Sequence, residues 1–286
     1  MRIILSRKGF DTSAGGVPSP ILPDGRLISL PIPDKRSAVQ YRHLQQADIK
    51  LGTLVKQLTR DRIIGTTGAH LDPDLIADCY PREPGWKAVL GQTGSAQGHL
   101  RKQGVEVGDL FLFFGLYREV EKVNRRWRYV PGSTPRHLLW GWLQVGEVVT
   151  VDALIPDEMP WVKYHPHLHG EPDANNTLYI AADRLVIDGL KTQASGAGVF
   201  ERFSPRHCLT AAESTKPSLW RLPSWFYPDG RVPLSYHNRL ERWQKDADGC
   251  LLQCAARGQE FVLDTACYPQ AVHWVESLLS DAKVSN

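Results

Sequence analysis

Three clusters in this chain combine residue types and spacings that can do chemistry. The first is Ser6-Arg7-Lys8 with Asp11, followed by Gly15-Gly16. An arginine fork grips phosphate or carboxylate, a lysine carries a titratable point charge, and a glycine pair lets backbone N–H groups approach an anion. Two accounts of this cluster stand side by side: a phosphate cradle, or a strand-end ion-pair cluster followed by a turn. The second cluster is Gly91-Gln92-Thr93-Gly94-Ser95, with Ser95 predicted to cap a short helix that Gly104 ends. Exposed N–H groups at a helix start favour an anion, and Arg101 and Lys102 lie nearby. The loop is neither a Walker A motif nor a dinucleotide fingerprint, so an ordinary capped turn remains its alternative. The third is His165-Pro166-His167-Leu168-His169-Gly170-Glu171. In an extended chain its histidines and Glu171 would share one face and could meet one ion. Pro166, Gly170 and Pro172 argue instead for a loop, where that parity has no meaning. His165 and His167 then position a substrate or move protons.

The elements that must carry these clusters can be read from patterning. Ile3-Ile4-Leu5 is a first strand that delivers Ser6 to Asp11 at its carboxyl end, where α/β folds place ligand loops. Leu110 to Phe114, between Gly108-Asp109 and Gly115, is a buried strand, too short and too aromatic for a helix. Trp127 to Val130 and His137 to Val149 supply further strands, expected to pair as a strongly bent antiparallel core. Ile21-Leu22 and Leu27 to Leu30 flank Asp24-Gly25, a hairpin signal. From Ser37 to Leu58 the apolar residues recur at three and four, which predicts one helix or two broken at Gly52. Asp72 suits a helix N-cap, with Pro73 at the first helical position and Asp74 in the first turn; a general-base or metal role for Asp72 or Asp74 is the alternative, since capping leaves one carboxylate free to face a site. Arg125-Arg126-Trp127-Arg128-Tyr129 reads either as a polar hairpin tip or as a basic and aromatic track for nucleic acid. Thr177 to Ala181 and Arg184 to Ile187 are strands, Trp220 to Pro228 is an irregular aromatic segment, and Ala271 to Leu279 is a terminal helix.

Composition sets the outer bounds. The 286 residues are 42% hydrophobic and 23% charged, near the globular norm. A formal net charge of +3 permits an anionic partner but is far too small for a histone-like binder. Nine tryptophans fill cores, and they can also stack on bases. Five cysteines without C-x-x-C spacing support neither a disulfide framework nor a zinc knuckle. No apolar run approaches the ~18 residues of a membrane span, and the start lacks a signal-peptide pattern. The expectation is a cytoplasmic protein with no membrane partner.

The run Ile3 to Asp11, continuing through Gly15 to Gly25 and Ser29 to Pro33, resembles the opening of the third nucleotide-modification-associated domain family. Gly91 to Gln97, Gly108 to Gly115 and Asn175 to Tyr179 fit the same family. The resemblance implies a link to modification of DNA bases in bacterial and phage systems, with base-modifying enzymes as a second partner class beside nucleotide or DNA. The central strands are also similar to the small PUA, ASCH and EVE barrels that handle nucleic acids.

The expected fold is α+β: a bent, mainly antiparallel sheet or partly open PUA-like barrel with flanking helices. It forms one unit over 1–286, with an α/β part at 1–107, a β-rich core at 108–215 and an aromatic segment and helix at 216–286. The expected function is binding of a phosphate-bearing nucleotide or nucleic acid, with modification of the base. Lys8, Asp11, His165 and His167 are the catalytic candidates. Ser6, Arg7, Gly15, Gly16, Gln92, Gly94 and Ser95 are the phosphate or substrate ligands. A non-catalytic reader of modified nucleic acid is one alternative, and a metal-dependent hydrolase using His165 to His169 is another. The sequence assigns no metal ligands and names no cofactor.

Overall fold

Strand β1 (Arg2–Arg7) alternates its side chains between two cores, Ile3 and Leu5 on one face and Ile4 on the other. The computed structural model describes residues 1–154, 158–187, 189–256 and 258–280. The remaining strands of the large sheet are β2 (Ser19–Ile21), β3 (Val89–Gln92), β4 (Leu110–Val123), β5 (Arg126–Tyr129), β6 (Arg136–Thr150), β7 (Thr177–Ala181), β8 (Ala197–Val199) and β9 (Glu260–Asp264). Its main path runs β9-β1-β4-β6-β7-β3, with β2 and β5 on β4 and β8 on β6. The β1–β4 and β2–β4 pairs are parallel and the other pairs antiparallel, so the sheet is mixed. The path has two ends among the described residues and does not close into a barrel.

The apolar block of β4 is explained by its neighbours. Leu110, Leu112 and Phe114 enter one core while Phe111 and Phe113 enter the other. A strand covered on both faces needs a continuous apolar run rather than an alternating one. Below it lie Trp220, Phe226, Trp243 and helix α3 (Gln270–Leu279). The aromatic segment expected to be irregular contributes the strand Leu219–Leu222, which joins Trp243–Asp246 and Gly249–Gln253 in a separate three-stranded sheet. Strand β6 pairs with β4 along its first part and with β7 along its last, with register shifts between Leu139 and Gly141 and between Val145 and Glu147.

Two local expectations fail for identifiable reasons. The helical spacing from Ser37 yields only α1 (Leu51–Leu58), preceded by a 3-10 turn at Tyr41–His43 and a two-residue ladder between Gln45–Gln46 and Ile49–Lys50. Val39, Tyr41 and Leu44 still reach the core beside α1, because a turn and a short hairpin can bury the same positions. Asp72 does not cap a helix. Its peptide to Pro73 is cis, and Asp74 instead bridges Val89 through paired backbone hydrogen bonds of 2.9 and 3.0 Å. That bridge lays the Asp72 segment alongside β3.

Candidate functional site

A cavity of about 570 Å3 opens where the end of β1, the end of β3, the 70–72 segment and the 166–176 loop meet. At its floor lies the Asp72 carboxylate, whose side chain is 2% exposed. Its Oδ1 accepts the Gly91 backbone N–H at 2.6 Å and lies 3.4 Å from His165 Nε2. Its Oδ2 faces three nitrogens: Lys8 Nζ at 3.6 Å, His167 Nε2 at 3.8 Å and His70 Nε2 at 3.9 Å. Burial alone would raise this carboxyl, but Lys8, His165 and His167 outweigh burial and hold it well below the usual carboxylate range.

Each imidazole at the cavity is fixed from behind. Asn176 donates its amide N–H to the His167 backbone carbonyl at 2.7 Å, which turns its Oδ1 toward His167 Nδ1 at 2.8 Å. Nδ1 must therefore carry the proton, and the neutral ring presents a lone pair at Nε2. His70 Nδ1 lies 2.9 Å from Asp34 Oδ2, which assigns the same tautomer and leaves its Nε2 free as well. Burial is the main reason that the His167 imidazolium is disfavoured, with its pKa lowered to about 4 against the pull of Asp72. The rings of His70 and His167 are 5.5 Å apart, centre to centre.

The loop bearing His165 and His167 is held by a half-buried polar staple. Arg82 grips Asp74 through both terminal nitrogens at 2.6 Å, and the Tyr164 hydroxyl takes N–H bonds from Arg82 and from Trp86 while donating to Asp74. Two residues beyond Tyr164, Pro166–Leu168 form a 3-10 turn rather than a strand. His165 and His167 therefore both face Asp72, whereas His169 and Glu171 are exposed.

The predicted residues divide by placement. Lys8 lies between two buried carboxylates, Asp72 and Glu260, the latter at 3.8 Å. Gln92 is buried and donates its amide to Glu260, while Ser6 sits opposite Glu260 in the β1–β9 ladder. Burial raises the Glu260 carboxyl, against Lys8, Ser6 and Gln92. Arg7 lines the cavity rim, but its guanidinium bonds to the Ala255 and Ala256 carbonyls and lies 5.6 Å from the centre of the Phe114 ring. Asp11 caps its own turn, accepting from Ser13 and Ala14. Gly15 and Gly16 have φ of +82° and +75° and shape that turn; the Gly16 N–H is taken by the Asp11 carbonyl. Helix α2 (Gly94–Lys102) begins after Thr93, not Ser95, and Asp173 takes the Gly94 N–H and the Thr93 hydroxyl, so an internal carboxylate occupies the helix start. Ser95 is exposed and outside the cavity lining.

Sequence reasoning assigns no site role to His70, Asp34, Asn176 or Glu260, and it reads Asp72 first as a helix cap. The i, i+2 spacing of His70 and Asp72 is the one local signal that points to them. The cavity itself combines a cation, an ionised carboxylate and two lone-pair imidazoles, a set able to hold an anion, bind a metal ion or transfer a proton. Among the described residues, the only rings lining it are those of His70 and His167, together with prolines. Among the same residues, no helix is long and apolar enough to cross a membrane. No curated protein and no solved structure matches the chain significantly. The family model described as Nucleotide modification associated domain 3 matches residues 2–264, from β1 through β9, and the chain belongs to that family.

Proposed function

We propose that the Lys8–Asp72–His167 cavity is the working site of a nucleotide-modifying protein, acting on a nucleotide free or within DNA. The observation that carries this is the meeting, inside one cavity, of a lysine ammonium, a buried ionised carboxylate and a neutral imidazole with its Nε2 lone pair directed inward. The cavity volume lies within the range of small-molecule sites, roughly 300–1,000 Å3. The exposed Arg36 guanidinium, which Asp34 shares at 3.6 Å, is the charge offered to a phosphate, while Lys8 is held as counter-ion by Asp72 and Glu260. His167 Nε2 is placed to take a proton from the bound base or from its attacking partner, and Asp72 stabilises the imidazolium that results. Lys8 stands as the charge stabiliser beside it, while His165 positions Asp72 from below. A non-catalytic reader would be expected to stack the base on aromatic rings, and among the described residues no Trp, Tyr or Phe lines this cavity. That favours chemistry over recognition alone.

A nucleic-acid substrate also needs a track for its backbone. Arg42, Lys50, Lys56 and Arg126 line a groove of about 520 Å3 beside α1, and no carboxylate among the described residues lines it. Lys56 is shared with Asp61 at 3.5 Å, while among the described residues Arg42, Lys50 and Arg126 have no ion-pair partner. Unpaired exposed cations of this kind are available to phosphodiesters. We read the whole chain, 1–286, as the unit that works, since the Lys8 site needs Glu260 from its far end.

The deciding experiment is mass spectrometry of nucleosides in DNA from cells carrying the wild-type protein, the His167→Ala variant or neither. A base altered by the wild type and absent in the other two is expected. An unchanged nucleoside profile, together with no nucleotide binding by the purified chain, would overturn the reading; binding with an unchanged profile would make the protein a reader.

A further inference from the structure

We infer that His70 Nε2, Asp72 Oδ2 and His167 Nε2 bind a single divalent transition-metal ion. The three atoms lie within 4.8 Å of one another and face the same cavity. This rests on that cavity being the working site, but not on which nucleotide it takes; with an ion bound, His167 Nε2 is a ligand and the proton-accepting role given to it above passes to a water held at an open coordination position.

Three features separate this trio from a chance cluster. The first is tautomer. Both rings have Nδ1 committed as a donor, to Asp34 and to the Asn176 amide oxygen, so both offer the nitrogen a metal needs. A carboxylate or amide oxygen behind each ligating histidine is the usual second layer of a metal centre, and it fixes ring orientation before the ion arrives. The second is the carboxylate. Asp72 Oδ1 is used by the Gly91 N–H, whereas Oδ2 has only the three nitrogens at 3.6 to 3.9 Å, each beyond hydrogen-bond range. A buried anionic oxygen ringed by nitrogens that stop short of it leaves room for a cation at the centre. The third is the fate of Lys8. Its ammonium sits between Asp72 and Glu260, so when an ion takes Asp72 Oδ2, Glu260 remains as the lysine's counter-charge.

Two imidazoles and one carboxylate suit zinc, iron(II) or manganese(II) better than magnesium or calcium. Three protein ligands leave coordination positions open toward the cavity, where water or a substrate oxygen can enter.

The test uses the purified full chain, stripped with chelator and titrated with Co2+, followed by absorption spectroscopy and calorimetry, with Zn2+ as competitor. One Co2+ per chain is expected, with visible bands that Zn2+ abolishes. His70→Gln should lose this binding while keeping the circular dichroism of the wild type, since His70 is partly exposed. Asp34→Asn, which takes the negative charge from behind His70 and from its pair with Arg36, should weaken binding by roughly 10–100-fold. Failure of the wild type to bind Co2+, or binding unchanged in both His70→Gln and His167→Ala, overturns the inference. Nucleotide binding measured separately in chelator distinguishes the two claims: nucleotide bound without any metal response sinks this inference alone, and a metal bound without nucleotide sinks the functional reading alone.

Discussion

Gly91 and His167 are packed so closely that a Cβ built on Gly91 would lie 2.3 Å from His167 Cδ2. The ring cannot retreat freely, because Asn176 holds it from the other side through its ring nitrogen and its carbonyl. Gly91→Ala is expected to push His167 out of its place over Asp72. Overpacking of this kind costs about 1–3 kcal/mol, a modest loss for a well-packed domain. Nucleotide affinity, followed by calorimetry, should fall more than tenfold while the melting transition stays cooperative. Undiminished affinity in that variant would show that the His167 position is immaterial to binding.

Lys8 is the shared counter-ion of Asp72 and Glu260, with its side chain only 10% exposed. Removing one member of a buried ion pair leaves charge without compensation, and Lys8→Met is expected to cost about 3–5 kcal/mol. Adding Glu260→Gln removes one of the stranded carboxyls, so the double variant should be more stable than the sum of the two single effects. Urea denaturation of the four proteins measures this coupling. Strict additivity would mean that Lys8 and Glu260 do not interact in the native state.

His237 accepts the Ala255 N–H at Nε2 and faces the Ser235 carbonyl with Nδ1, an arrangement that only the neutral ring satisfies. Burial is the main cause that lowers its pKa to about 4, with Arg242 and Arg7 adding to it. The unfolded histidine takes up its proton near pH ~6.5. Below that pH the unfolded state binds more protons than the native state, so stability present above it is lost as pH falls toward about 4. The urea midpoint should drop across that window, and His237→Gln should flatten the drop. An equally steep slope in His237→Gln would assign the titration to other groups.

The basic groove beside α1 gives a salt-dependent prediction. Charge reversal by Lys50→Glu and Arg126→Glu lies on exposed positions that make no ion pair among the described residues. Binding of double-stranded DNA should weaken across all sequences, and the slope of log affinity against log salt should shrink by about one for each phosphate that is no longer neutralised. A slope identical to that of the wild type would remove this surface from the binding path.

Strands are the most legible part of the chain. The buried run Leu110 to Phe114 and the segments Thr177–Ala181 and Arg184–Ile187 stand where their residue types put them, because β-branched and aromatic runs between turn residues have few other uses. Lys8 and the Gly91 loop, singled out as parts of one site, do line one cavity. Asp72 is less legible because Asp-Pro-Asp before apolar residues is also a sound helix start, and only the bridge to Val89 shows which alternative the chain takes. His70, Asn176 and Glu260 are not legible, since their meaning arises from contacts between segments far apart in sequence. Of the one helix or two expected from Ser37 to Leu58 only α1 forms, because spacing at three and four reports burial, not the backbone that achieves it.

The pairing of β1 with β9 sets Ser6 opposite Glu260, and with it one of the two acids that flank Lys8. During synthesis β1 can meet its parallel neighbour β4 early, but its antiparallel neighbour β9 is made only later, from residue 260 on. Long-range pairings of this kind form slowly, after the chain's local contacts. A nascent or clipped polypeptide that stops short of residue 260 would thus lack the second carboxylate beside Lys8, and its cavity would stay without the charge balance that strand brings.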